Sequence, residues 1–231
     1  MIAINGNEIL IFAPIHNTGN KKDATGAFQP EARAFARKHD VPQQNIFLID
    51  NRRSKTEMKN VVIAAIERAK VDHGTVPKMI AFFCHGMRES VQLGFNRRNV
   101  TELALSLAGV KDVRVVLYAC STAKGENAAQ DMEAVGGDGG FADRLRDLLC
   151  QAGAVDCQVD AHSTAGHTTK NPYVRRFQGM GSPFGGVGGF FIASPANRSL
   201  WKQWKKQLRE SELRYDFPFM TVAEIHGTLK A

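Results

Sequence analysis

Two short stretches hold the residues able to do chemistry in this chain: FFCHG, residues 82–86, and LYACSTAKG, residues 117–125. Each ends an apolar, β-favouring run that stops abruptly, the first at His85-Gly86 and the second at Cys120-Ser121. A thiol of ordinary pKa, about 8.5, is a poor nucleophile at neutral pH, and a neighbouring imidazole can take its proton or stabilise the thiolate. Glycine after the histidine leaves its backbone open to a substrate carbonyl. The N–H groups of Gly86 and Cys120 can then form an oxyanion hole for a tetrahedral intermediate. The chemistry on offer is nucleophilic acyl transfer.

That chemistry requires the two stretches to meet in space. Ligands of an open parallel sheet bind outside the carboxyl ends of its strands, where residues that follow adjacent strands converge. His85 and Cys120 are 35 positions apart, which leaves room for one crossover helix between neighbouring parallel strands. Strand-like runs occur at EILIFA (8–13), NIFLID (45–50), KMIAFFC (78–84), VRVVLYA (113–119) and DCQVDA (156–161). Between them, PEARAFARKH aligns Ala32, Phe35 and Ala36, and EMKNVVIAAIERAK aligns Met58, Val61, Val62, Ala65 and Ile66, with Ser54 or Thr56 as N-cap. NVTELALSLAG and GGFADRLRDLLCQAGA fill the next two intervals. Strands that are apolar throughout, alternating with helices, predict a mainly parallel sheet covered on both faces, an α/β three-layer αβα sandwich. The 231 residues are read as a single domain with its core at about residues 8–165 and a C-terminal elaboration at 166–231.

The later segments are less regular. YVRRFQG reads as a short strand. GMGSPFGGVGG, with six glycines in eleven residues, lacks the Lys-Ser/Thr ending of a phosphate loop and reads as a loop near the site. NRSLWKQWKKQLRESELRY predicts a helix that aligns Leu200, Trp204 and Leu208, with Asn197 able to cap it. Cys84 faces opposite to His85 along its strand and reads as core, as do Cys150 and Cys157. No C-x-x-C occurs and His162-x4-His167 stands alone, so no metal site is expected.

Composition narrows the partners. No apolar run approaches the roughly 20 residues needed to span a bilayer, and the opening MIAINGNEILIFAP reads as a first strand, not a signal peptide. Four cysteines in a chain of this length suit reduced thiols in the cytoplasm. The net charge of +7 comes from scattered basic pairs without aromatic interleaving, which argues for solvated faces and against a nucleic-acid reader.

With those residues in place, the chain resembles the clan of caspase-like cysteine peptidases, which includes caspases, metacaspases, legumain, gingipains, clostripain, separase and the CHAT domains. FFCHG and LYACSTAKG are similar to the clan's two strand ends, and ACSTAKG followed by GGDGGFADRLRDLLCQAGA looks closest to the CHAT type. The resemblance covers about residues 8–165. It implies a caspase-like fold, His85 as general base, Cys120 as nucleophile, Gly86 as an oxyanion donor, a protein or peptide substrate, and no cofactor. The Q-A-C-R-G pentapeptide of caspases is absent, since Tyr118, Ser121 and Thr122 flank the cysteine, so cleavage after Asp is not expected. Members of the clan fix the residue before the scissile bond in a charged or polar pocket. A preference for Arg or Lys would need a buried carboxylate, for which Asp160 and then Asp23 are the candidates. Relatives activated by self-cleavage point to Lys124, Lys170, Arg175 or Arg176, and others respond to inositol hexakisphosphate or a regulatory partner chain. Substrate gating is expected in the loop from Ser121 to Gly140 and in the glycine segment. Two alternatives stay open: a catalytically inactive caspase-like binding or scaffolding module, and small-molecule hydrolysis or acyl transfer by the same dyad.

Overall fold

The computed structural model describes residues 4–16, 25–74, 76–133, 135–166, 169–182, 185–186, 188–192, 198–219, 224 and 227. Its strands are β1 (Ile9–Pro14), β2 (Ile46–Ile49), β3 (Met79–Phe83), β4 (Gly86–Met87), β5 (Ser90–Val91), β6 (Arg114–Tyr118), β7 (Val135–Gly136), β8 (Gln158–His162), β9 (Val174–Gln178) and β10 (Gly189–Phe191). Its helices are α1 (Thr25–Lys38), α2 (Lys55–His73), α3 (Val100–Ser106), α4 (Phe141–Gln151), α5 (Arg198–Glu210) and α6 (Leu213–Asp216). All five apolar runs read from the sequence form strands of one sheet, and each lies within a residue or two of its expected bounds.

Among the described residues the main sheet has eight strands in the order β2-β1-β3-β6-β8-β9-β10-β7. The first five are parallel, while β9, β10 and β7 add antiparallel pairs at one side. Side chains alternate along each strand between two apolar layers. Leu10, Phe12, Ile80, Phe82, Val115 and Leu117 pack under α2, α3 and α4, whereas Ile11, Ala13, Ala81, Phe83, Val116 and Tyr118 meet Phe28, Ala32 and Phe35 of α1. Both faces are therefore covered, as uniformly apolar strands require, and the molecule is a three-layer αβα sandwich. Fully burying one such Phe or Leu contributes about 1.5–3 kcal/mol, so the two layers supply most of the drive to this topology.

Local signals set the ends of the elements that matter for the site. Ser54 caps α2: its Oγ accepts from the Glu57 N–H at 3.2 Å and the Glu57 carboxylate accepts from the Ser54 N–H at 3.0 Å, a capping box that decides between the two expected caps. Gly74, at φ 65°, ends the same helix. The single helix expected at 197–215 is broken instead. The Ser211 hydroxyl donates to Gln207 O at 2.7 Å and accepts from the Leu213 N–H at 3.3 Å, which ends α5 and starts α6. Trp204 and Leu208 are buried against Val174, Ile192 and Phe217. Asn197 and the side chains of Leu200 and Trp201 lie outside the described residues.

The segment after residue 166 belongs to the same sheet, through β9 and β10, and its last turns close over the α1 face. The Tyr118 hydroxyl donates to Phe217 O at 3.1 Å, and the His39 ring donates from Nε2 to Tyr215 O at 2.8 Å. No described helix is long and apolar enough to cross a membrane.

Candidate active site

The strand register brings the two stretches together. β3 and β6 pair in parallel from Met79↔Arg114 to Phe83↔Tyr118; extended by two residues, that register sets His85 opposite Cys120 at the carboxyl edge of the sheet. The rings of Phe83 and Tyr118 stack at 4.5 Å directly beneath. The edge lies beside the point where the chain, having built β2 on one side of β1, returns to build β3 on the other. Such a reversal is where an open α/β sheet forms its ligand crevice.

Gly86 makes the closest approach. A methyl group on it would lie 2.7 Å from Cys120 O, 2.7 Å from Thr122 Cγ2 and 2.8 Å from Ala119 Cβ. Only a residue without a side chain lets the His-Gly turn pass this near the cysteine. The two amides expected to form an oxyanion hole thus belong to touching stretches of main chain.

The turn after Cys120 is held from several directions. Ser121 takes a left-handed backbone, φ 59°, uncommon for a non-glycine residue and a cost of about 1–3 kcal/mol that its surroundings must impose. The Ser121 N–H donates to Thr164 O at 3.2 Å and the Ala123 N–H to His162 O at 2.9 Å. The buried Thr122 hydroxyl donates to Ala119 O at 2.9 Å. Cys120 is half-buried, and its Sγ donates to Gly166 O at 3.4 Å. Burial pushes the neighbouring Cys84 thiol up to about 12, so Cys84 stays protonated at neutral pH.

His85 is half-exposed. Its ring meets the Phe28 ring edge-on, centroids 4.9 Å apart at 83°. Its amide donates to Gln92 Oε1 at 3.3 Å and its carbonyl accepts from the Gln92 N–H at 2.9 Å. The hairpin of β4 and β5 thereby ties the histidine to the loop at 92–96. Phe28, Gln92 and Gly166 are not marked in the sequence as part of the site. Nothing in their types or spacing marks them; pairing between distant segments puts them here.

Asp160 lies elsewhere. It sits inside β8, paired with Val116 and Arg176, two residues short of the strand's end. Its fully buried carboxylate takes the Arg176 Nε–H at 2.9 Å and the Gln158 amide at 2.5 Å. Arg176 also donates to Pro218 O, so the pair clamps the C-terminal segment onto the sheet. Burial raises the carboxyl of Asp160, against the pull of Arg176, Gln158 and Arg114. A carboxylate already matched by the chain's own guanidinium has no charge left for a basic substrate. Asp23 lies outside the described residues.

Of the residues considered for self-cleavage, Lys124 and Lys170 are half-buried and Arg175 is fully buried inside β9. The Arg175 guanidinium donates to the carbonyls of Gly189, Gln130, Asp131 and Glu133 at 2.6–3.2 Å and lies 4.1 Å from the centre of the Phe191 ring. Those bonds fix the loop from Ser121 to Gly140, which carries β7 and pairs with β10. The glycine segment also differs from expectation. Because β9 runs antiparallel to β8, it exits at the amino edge, where the Gly179 N–H donates to Cys157 O at 2.7 Å and the Gly181 N–H to Val155 O at 2.8 Å. The described part of the segment up to Gly181 is therefore at the opposite end of the sheet from Cys120.

A cavity of about 490 Å³ opens beside His85 and Gly86. Buried Met58, Val91 and Phe95 form its apolar wall, and Arg53 and Lys55 line its rim. Among the described residues, no group of three or more His, Cys, Asp or Glu side chains is placed to hold a metal ion. No family model, no curated protein and no solved structure matches this chain.

Proposed function

We propose that the protein is a cysteine peptidase of caspase-like architecture in which His85 and Cys120 form the catalytic dyad. The observation that carries this reading is the contact of the Gly86 main chain with that of Cys120 at the carboxyl edge of two adjacent central strands. In the mechanism, the His85 imidazole takes the Cys120 proton and the thiolate adds to the carbonyl carbon of a peptide. The N–H groups of Gly86 and Cys120 stabilise the oxyanion. As the C–N bond breaks, the imidazolium returns its proton to the departing nitrogen. Water, deprotonated by His85, then hydrolyses the thioester to a carboxylic acid and the free thiol. The dyad needs no cofactor. The cysteines are free thiols, and the Cys150 and Cys157 sulfurs share a hydrogen bond at 3.8 Å.

The test is digestion of a proteome-derived peptide library by the wild type, Cys120→Ala and His85→Ala proteins, with cut sites read by mass spectrometry. Cleavage in the wild type that both substitutions abolish supports the reading. Equal cleavage by Cys120→Ala and wild type rejects it. A second reading, a catalytically silent binding module on the same fold, has one observation in its favour: the Cys120 thiol gives its hydrogen to Gly166 O. That bond must break before the imidazole can take the proton.

A further inference from the structure

The cavity beside His85 has a chemistry that the dyad does not use. Its wall is apolar, from the buried side chains of Met58, Val91 and Phe95, and the exposed Met87 lies at its mouth. Its volume, about 490 Å³, falls within the range of about 300–1,000 Å³ usual for ligand sites. Methionine at a rim adapts to varied apolar shapes.

The charged side chains that line it are both cationic. Arg53 and Lys55 line the cavity and are exposed, and among the described residues the nearest interaction of either with an acid is the longer-range one between Arg53 and Glu57. Asp50 is held by Arg52 at 3.2 Å and His16 at 3.3 Å; Glu57 is bound into the Ser54 capping box, whose donors are neutral, so its carboxylate keeps its charge and interacts with Arg53 at longer range. The amino end of the 19-residue helix α2 faces the same way and adds its partial positive charge.

Position gives this pocket a role. It is lined by His85 and Gly86 and not by Cys120. During acyl transfer the imidazole delivers its proton to the departing nitrogen, so the chain attached to that nitrogen runs past the imidazole on the side away from the thiol. We infer that the cavity receives the leaving-group side of a peptide substrate and selects a bulky apolar residue accompanied by Asp or Glu, with Arg53 and Lys55 binding the carboxylate. This assignment rests on the peptidase reading for its role, although the pocket's preference for an acidic-apolar segment does not.

Two measurements separate the two. The first is binding, by fluorescence anisotropy on the intact Cys120→Ala protein, of a labelled octapeptide holding one leucine and two glutamates, against the same peptide with two lysines. The acidic peptide should bind about tenfold more tightly, as two partly solvated ion pairs allow. The order should reverse in an added Arg53→Glu, Lys55→Glu change and level out in Arg53→Gln, Lys55→Gln. Lys55 is the first residue of α2 and Arg53 lies just before its Ser54 cap, where acidic side chains suit the helix dipole, so the reversed variant should fold. The second is the ratio of kcat/KM for wild type on substrates carrying these two sequences after the scissile bond, which should favour the acidic one and invert with the charge reversal. Equal binding of both peptides, or a preference untouched by the charge reversal, overturns the inference. Selective binding without any cleavage keeps the pocket and rejects the peptidase. Cleavage indifferent to these charges keeps the peptidase and rejects the pocket's leaving-group role.

Discussion

The main chain of Gly86 runs so close to that of Cys120 that one added methyl group would sit 2.7 Å from the Cys120 carbonyl oxygen. Gly86→Ala therefore has to push the His-Gly turn away from the cysteine. Displacing a reacting group by about 1 Å costs on the order of 10²-fold in rate, and overpacking costs about 1–3 kcal/mol in stability. The expected outcome is a folded protein with peptide cleavage reduced about 10²-fold. Wild-type activity in Gly86→Ala would remove the close approach from the mechanism.

Asp160 and Arg176 are a structural clamp, and their loss should show as stability and not as specificity. Asp160→Asn leaves the Arg176 side chain, only 12% exposed, without its counter-charge. Removing one partner of a buried pair costs about 3–5 kcal/mol. Urea unfolding should show that loss, while the cut sites in a peptide library stay the same. A changed preference at basic residues with unchanged unfolding would make Asp160 a substrate contact after all.

His39 predicts a dependence on pH. Its ring lies against Phe35 at 4.3 Å and Phe219 at 5.5 Å, and burial lowers its pKa from the ordinary 6.5, more than Tyr215 O and Asp216 raise it. The native state therefore holds the neutral ring where the unfolded chain would take a proton. This contribution to stability is whole above 6.5 and is lost as the pH falls below it towards the depressed native value. Melting temperatures measured between about pH 8 and pH 5 should fall on the acid side, and less steeply in His39→Gln, which keeps an N–H for Tyr215 O but does not titrate there. Identical slopes for the two proteins would assign the acid sensitivity elsewhere.

What could be read from the sequence follows from the distance over which each signal acts. β3 and β6 were legible because each is an apolar run that ends sharply in polar residues, and His85 and Cys120 were legible as the residues at those ends. β7 has two residues and β10 three, too few for any periodicity to show. The role of Arg175 depends on carbonyls more than forty positions earlier in the chain. Asp160 looked like a strand-end carboxylate, and only the antiparallel register of β9 brings Arg176 to it. The cavity is assembled from residues 51–58 and 85–96, whose types are ordinary and whose apposition depends on the capping box at Ser54 and the hairpin after Gly86.

The dyad itself is tested most directly by the alkylation of Cys120 with iodoacetamide as a function of pH, in the wild type and in His85→Ala, with the modified residue located by mass spectrometry. Cys120 should react at neutral pH at least about tenfold faster in the wild type, and the gap should close above about pH 9, where an ordinary thiol ionises unaided. Equal rates in the two proteins across the whole range would contradict the dyad and leave LYACSTAKG as the end of a core strand with an ordinary thiol.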